Sequence, residues 1–401
     1  MPRLTFEELE NIKKKYDVDR IWSYSRINTF LTSPFEYALK YVDGMKKQED
    51  RQDSIYTSLG TAAHQCLEDY YTNKIQFDEM YEQFCDSWTT CYDIANLKFD
   101  RCNEEKNLSI AEKYKLNMQY FFKNHVAYPY KVLIEKPVVI DVNGNIFIGY
   151  IDGLYKNDNG DIIIVDFKSS SAYSGKALED HSQQLKLYAL GIHQATGIEL
   201  SKIHGCFNFL KYVTIEYTQA NGKVKTKNAE RKDLGEALQT NLKVWIKRLG
   251  YEDKMDEFLK MVLDDNDIKG LPEDLRSKYK IHDCHVFVDT SKEAIDKLVD
   301  EISTTIKDIE LREQDYNQTK SEKCFWDTEE SIKSQSYYMA NLMAYSPNLH
   351  KPYAEYLSKL EASQNNNDMF GGLLGSNSAT SSNKVIDNIN NEIDLSWLDN
   401  I

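Results

Sequence analysis

The chain has 401 residues, 28% of them charged and 12% aromatic, and a formal net charge of -15. This length and composition belong to a folded protein with a substantial core, one large domain carrying insertions. The charge excludes a broad basic face for indiscriminate nucleic-acid binding, so any such contact has to be local and helped by a divalent cation or a partner.

Seven cysteines, an odd number without a C-x-x-C pair, point to a reducing, cytoplasmic setting. Met1 to Tyr16 lacks an apolar signal core and no apolar run reaches membrane-span length, so no membrane contact is expected. The 27 tyrosines suit either amphipathic packing or base stacking, and composition alone favours packing.

Residues 1–54 read as a helical opening segment. A short charged helix spans about 5–16. A second helix runs from Tyr24 to Tyr41, capped by Ser23 or Ser25, interrupted at Ser33-Pro34 and ended at Asp43-Gly44. A core over 55–218 follows. Ile55 to Tyr71 is predicted as a long helix, with further helices to about residue 127. Val132–Ile134, Val138–Asp141, Ile146–Tyr150 and Ile162–Phe167 are β-branched runs broken by Asn143-Gly144 and Asn159-Gly160, strong hairpin signals. A helix over Ser182–Thr196 and a strand over Gly205–Tyr217 complete this part.

Residues 219–280 read as a charged, mostly helical insertion. Over 281–361 a strand at His285–Val288, an amphipathic helix at Ser291–Leu311 and more helix from 329 complete the core. The composition then turns to Asn, Gly and Ser, a flexible linker over 362–384. The tail, 385–401, has four acidic residues, no basic one, and Ile386, Ile389, Ile393 and Trp397 at spacings of three and four. It reads as a docking peptide that folds on a partner, or else as disordered padding or an end helix folded back on the body.

Chemistry concentrates at two strand ends. Asp166-Phe167-Lys168 closes the run Ile162-Ile163-Ile164-Val165, and Asp152, in Gly149-Tyr150-Ile151-Asp152, closes the strand before it. Alternation sets Asp166 and Lys168 on one face and Phe167 on the other. Two carboxylates beside a lysine suit a hard cation and an attacking water: the cation neutralises phosphate charge and lowers the pKa of water, and the lysine orients the water and offsets developing charge. A lone D-x-K is far more often a strand end with two solvated charges; its company changes the balance. Gly60-x-x-x-His64-x-x-x-Glu68 places an imidazole and a carboxylate one helical turn apart, either a metal ligand whose tautomer Glu68 or a backbone group fixes, or a surface pair. Gln184 and Tyr188, again one turn apart, can hold a phosphate or orient Lys168, or decorate a surface.

In this order the motifs resemble the RecB-like branch of the PD-(D/E)XK nucleases, which includes the nuclease domains of RecB and AddB and the exonucleases of CRISPR adaptation. That pattern is G-x-x-x-H, G-x-x-D, D-x-K and Q-x-x-x-Y. Glu135 is similar to the acidic residue that often precedes the G-x-x-D strand, and Trp22 to Phe30 followed by Pro34 to the family's opening segment. The resemblance covers about 20–215 and, more faintly, 283–330.

It implies an α/β fold, a restriction-endonuclease-like core with a mixed central sheet flanked by helices and carrying helical insertions. It implies a Mg2+ or Mn2+ ion on His64, Asp152, Asp166 and the Phe167 carbonyl. Asp152, Asp166, Lys168, Gln184 and Tyr188 would form the catalytic set, with Glu68 and Glu135 in support. The reaction would be phosphodiester hydrolysis in DNA, as an exonuclease on single strands or duplex ends. The setting would be phage or bacterial recombination, repair or replication, with the tail reaching a DNA-processing partner.

Many relatives hold a four-iron cluster with a cysteine in a C-P pair and three cysteines near the C-terminus. Here those places read Ser33-Pro34 and Cys324-Phe325-Trp326-Asp327, so no iron–sulfur cluster is expected and packing by Trp326 and nearby aromatics stands in for it. His282, Cys284 and His285 would point to both faces of a strand, which argues against zinc. Two other readings stay open: a non-catalytic scaffold or interaction protein on the nuclease fold, and an RNA-directed nuclease of the same fold.

Overall fold

The computed structural model describes residues 4–47, 54–326 and Tyr345. Local chemistry sets the first helices. Thr5 and Glu8 form a capping box at the start of α1 (Phe6–Tyr16). The Ser23 hydroxyl accepts from the Arg26 amide to start α2 (Tyr24–Thr32), and Ser33 ends that helix while capping α3 (Pro34–Tyr37). The stretch to Tyr41 is therefore two helices and a wide turn over Ala38–Val42. Next come α4 (Ile55–Tyr71), α5 (Glu79–Trp88) and α6 (Glu104–Asn124).

The sheet has six strands: β1 (Leu133–Val142), β2 (Asn145–Lys156), β3 (Ile162–Lys168), β4 (Ile203–Thr218), β5 (Val224–Glu230) and β6 (Tyr279–Phe287). The two runs expected before Asn143 are one strand, β1, with a kink at Glu135. Asn143-Gly144 makes a two-residue turn with both φ values positive. The β3–β4 pairing is parallel, crossed over by α7 (Gly175–Thr196); the other pairings are antiparallel, so the sheet is mixed. β4 carries β3 along its first half and β5 along its second, with β6 on its opposite edge.

Alternation along β3 divides the core. Ile162 and Ile164 point to α7, α2 and α11 (Lys292–Thr319), with Leu185, Ile192, Phe207, Ile302 and Ile306. Ile163, Val165 and Phe167 point to α4, α5 and α6, with Ala63, Leu67, Phe84, Met118 and Phe121. Each fully buried aliphatic here contributes ~1.5–3 kcal/mol. In the expected insertion, α8 (Leu234–Arg248), α9 (Met255–Asp265) and α10 (Glu273–Arg276) pack on Val213 and Ile215 as a third cluster. Its strand, β5, was not foreseen because Val224-Lys225-Thr226-Lys227 is a polar edge strand.

Two polar assemblies tie the layers. Between Asn208 and Val213 the β4–β6 register slips; Arg231 bonds the Leu210 carbonyl at 2.7 Å and Asp283 at 2.6 Å, and Asp283 in turn meets the His125 Nδ1 at 2.8 Å. Near the N-terminus, Glu313 accepts from the Tyr37 hydroxyl at 2.8 Å and from Arg20 at 2.7 Å. Phe325, completely buried, lies against Tyr37 and Tyr316 with ring centres 6.1 and 6.0 Å away. Phe325, one of the aromatics beside Trp326, packs in this joint next to Cys324. The helix from 329, the linker 362–384 and the tail 385–401 lie outside the described residues, apart from Tyr345.

Candidate metal centre

Strand register assembles the carboxylates. β1 and β2 pair Ile134 with Gly153 and Lys136 with Ile151, which sets Glu135 opposite Asp152. β2 and β3 pair Gly153 with Val165, so the next step sets Asp152 beside Asp166. Three acidic residues therefore stand in a row across three strands. Like charges so placed repel unless a cation intervenes. Glu135 also holds a left-handed φ of 50°, a conformation costing ~1–3 kcal/mol in a non-glycine residue.

The β2–β3 ladder stops at this row, and its next backbone donor is used differently: the Phe167 amide donates to Asp152 Oδ2 at 3.1 Å. The Phe167 carbonyl faces the other layer, where His64 Nε2 on α4 lies 2.6 Å away. His64 Nδ1 is 3.5 Å from Asp152 Oδ2. Ligand atoms of His64, Glu135 and Asp152 all lie within 4.8 Å of one another. Lys168 Nζ sits 2.7 Å from Asp166 Oδ1 and 5.9 Å above the Phe207 ring.

The electrostatics suit a cation. Burial, then Asp166, push the Asp152 carboxyl well above the usual carboxylate range, against the opposing pull of Lys168; Glu135 adds to the rise. Burial and Lys168 lower His64, so its imidazole is neutral and able to ligate. Burial works against the Lys168 charge, but Asp166 and Asp152 outweigh it and raise its pKa. Lys168 is therefore held as an ammonium beside the two carboxylates. Carboxylate oxygens, a carbonyl and an imidazole suit Mg2+ or Mn2+, with Asp166 Oδ1 shared with the Lys168 ammonium. The residues fit the ion.

Gln184 donates to the Tyr188 hydroxyl on α7, and the buried Tyr188 ring covers Gly149. A Cβ at 149 would lie 3.0 Å from Tyr188 Cζ and closer still to Cε1. The glycine of G-x-x-D thus makes room for the tyrosine of Q-x-x-x-Y. Burial raises the Tyr188 phenol, which Gln184 partly opposes and Asp152 and Asp166 reinforce.

Glu68 points elsewhere: its carboxylate is 3.7 Å from Lys74, while the His64 nitrogens face Phe167 and Asp152. Glu135, expected only to support, is drawn into the ligand cluster. The signal for it was present: with a two-residue turn at Asn143-Gly144, counting back from the Val142–Asn145 pair places Glu135 against Asp152. Among the described residues no other group of three or more His, Cys, Asp or Glu side chains is placed to hold a metal. In β6, Cys284 is buried in the α7-side core, whereas His285 meets the Tyr128 hydroxyl at 2.7 Å.

A mixed sheet between helical layers, with an acidic row that could hold a cation and a lysine at its strand ends, is the α/β architecture of the nuclease type. The model of the PD-(D/E)XK nuclease superfamily matches residues 21–326, and the chain belongs to that superfamily. Its members are typically metal-dependent nucleases. No curated protein matches the chain in sequence. One solved structure, titled "Crystal structure of SSO0001", is similar at 16% identity over 49% of this chain and 75% of that chain. Its TM-score is 0.16, and the likeness carries no argument.

Proposed function

We propose that this protein is a Mg2+- or Mn2+-dependent deoxyribonuclease of the RecB-like branch, an exonuclease acting in phage or bacterial recombination, repair or replication. The supporting observation is the convergence of His64, Glu135, Asp152, Asp166 and the Phe167 carbonyl beside a protonated Lys168. These residues would hold the ion, which when bound supplies charge neutralisation at the phosphate and a lowered pKa for water.

The chain's own groups do the rest. Lys168, kept charged by Asp166, orients the attacking water and meets the negative charge that grows on the phosphate oxygens. Asp152 fixes the Phe167 amide and so the carbonyl on the same peptide chain. Tyr188 and Gln184 brace the Gly149 side of the row.

The order of the four motifs supports the RecB-like branch. All seven cysteines are free, in keeping with a cytoplasmic setting. No described helix is long and apolar enough to cross a membrane. The acidic, apolar tail 385–401 suits a DNA-processing partner; deleting it should leave oligonucleotide cleavage intact and weaken partner recovery. The decisive experiment incubates end-labelled single- and double-stranded DNA, and a matched RNA strand, with magnesium, manganese or chelator. Progressive loss from one end with metal supports the proposal. Internal cuts refute exonuclease action, preference for RNA refutes the substrate, and no cleavage with either metal leaves a scaffold.

A further inference from the structure

Beyond the row of carboxylates, α4 continues along the chain that leaves β3. Three of its residues, each one turn apart, face that path. His64 meets the Phe167 carbonyl. Gly60 faces Ser169, and Tyr56 lies near Tyr114. Gly60 is the odd member. It lies inside a 17-residue helix and has no positive φ. Glycine there costs ~0.5–1 kcal/mol relative to alanine. Folding has no use for it: a Cβ would meet only Ser169 Oγ, at an ordinary 3.4 Å. By contrast, a Cβ at Gly191 in α7 would stand 2.6 Å from Val138, and one at Gly235 in α8 would strike the Val262 backbone.

The other side of this bare turn carries Ser169 and Lys211 around the Tyr114 ring. The Tyr114 side chain is buried, hydroxyl included, and that hydroxyl lies beside Ser169. The Lys211 ammonium sits 5.3 Å over that ring. Lys211 lies on β4 just past Phe209, which pairs with Lys168. Among the described residues no carboxylate lies within ion-pair distance of it. Its nearest acidic influence, Glu230, is engaged by Asn117 at 2.9 Å and Lys232 at 3.7 Å. Burial lowers the Lys211 pKa, which Glu230 only partly opposes.

We infer that Lys211 and the Ser169 hydroxyl form a subsite for a backbone phosphate adjoining the scissile one, with the buried Tyr114 hydroxyl positioning Ser169 from beneath, and that Gly60 is bare so that the strand can pass over α4. The inference rests on the proposal that the chain acts on nucleic acid and names where that strand runs. A lysine ammonium and a hydroxyl recognise a phosphodiester without reading bases. On a chain of net charge -15, one local cation weighs heavily.

The test uses the full chain and a fluorescein-labelled single-stranded oligonucleotide. Binding is followed by anisotropy with calcium in place of magnesium at several salt concentrations, and steady-state cleavage is measured with magnesium. Lys211→Met should raise Kd and KM about tenfold, as for one lost charge-assisted contact, and leave kcat nearly unchanged. It should also lower the salt slope by about 0.7, the value for one contact on a single strand. Lys211→Arg should restore both. Gly60→Ala should melt no lower than the wild type and yet bind more weakly.

Wild-type Kd, KM and salt slope in Lys211→Met overturn the subsite, as does a change confined to kcat. A lower Tm in Gly60→Ala overturns the strand path, since the glycine is then needed by the fold. A wild-type protein that neither binds nor cuts DNA or RNA with any metal refutes the nuclease proposal itself, a result distinct from all of these.

Discussion

Replacing Gly149 by alanine tests whether the motif glycine and the motif tyrosine act as one unit. The new Cβ would stand 3.0 Å from Tyr188 Cζ, 3.1 Å from Cδ1 and nearer still to Cε1. Carbon atoms pack at ~3.5–4.0 Å, so the ring has to retreat by more than ~1 Å. It has no free direction, being buried and held at its hydroxyl by Gln184. Overpacking of this kind costs ~1–3 kcal/mol. Thermal unfolding should therefore show a Tm lower by a few degrees, and metal-dependent cleavage should fall as the ring leaves its place beside the acidic row. In a Tyr188→Ala background the added methyl has room, so the same substitution should be nearly neutral, giving a coupling of ~1 kcal/mol or more. Equal destabilisation in both backgrounds, or an unchanged Tm in the first, would refute the reasoning.

Lys168→Met should keep the fold and lower kcat by ~100-fold or more, the loss expected when a preorganised charge is removed from a transition state; cleavage within a few-fold of wild type would take Lys168 out of the chemistry. Asp152 carries a sign that can be checked. Burial and Asp166 hold its carboxyl well above the usual range, so without a cation its ionisation opposes folding. Stability of the chelated protein should fall as pH rises from ~3.9, the ordinary carboxylate pKa, through the raised value. Asp152→Asn stays neutral, and at neutral pH in chelator it should melt above wild type and gain nothing from magnesium; a lower Tm would contradict this. Asp283 behaves in the opposite sense. Burial alone would raise it, but His125 and Arg231 hold it well below the usual range, so its contribution is present above pH ~4 and lost as pH falls below that. Asp283→Ala should cost ~3–5 kcal/mol in urea unfolding, because Arg231 is left buried and unpaired. Phe325→Ala should cost ~3–5 kcal/mol, and a loss below 1 kcal/mol would show that the Tyr37–Tyr316 slot is not a structural joint.

Much of the site was legible in the residues themselves, because its chemistry is written at strand ends where spacing has only one geometric outcome. Ile162 to Lys168 could alternate only one way, and a two-residue turn at Asn143-Gly144 sets the β1–β2 register by counting. The helix Ile55–Tyr71 was readable from its apolar periodicity, and with it the spacing of Gly60 and His64. Tertiary structure alone decided the meeting of layers. His64 arrives from the helices on the Phe167 face, and nothing near it in the chain specifies that its ring should meet the Phe167 carbonyl while Glu68 turns to Lys74. The clash that makes Gly149 necessary comes from a helix packed over it after a parallel crossover, and β5 pairs because the far half of β4 has a free edge, whatever its own polar residues prefer. Local pattern determines which groups a strand or helix presents; which other groups they meet depends on how buried faces close on one another, and that is a property of the whole chain.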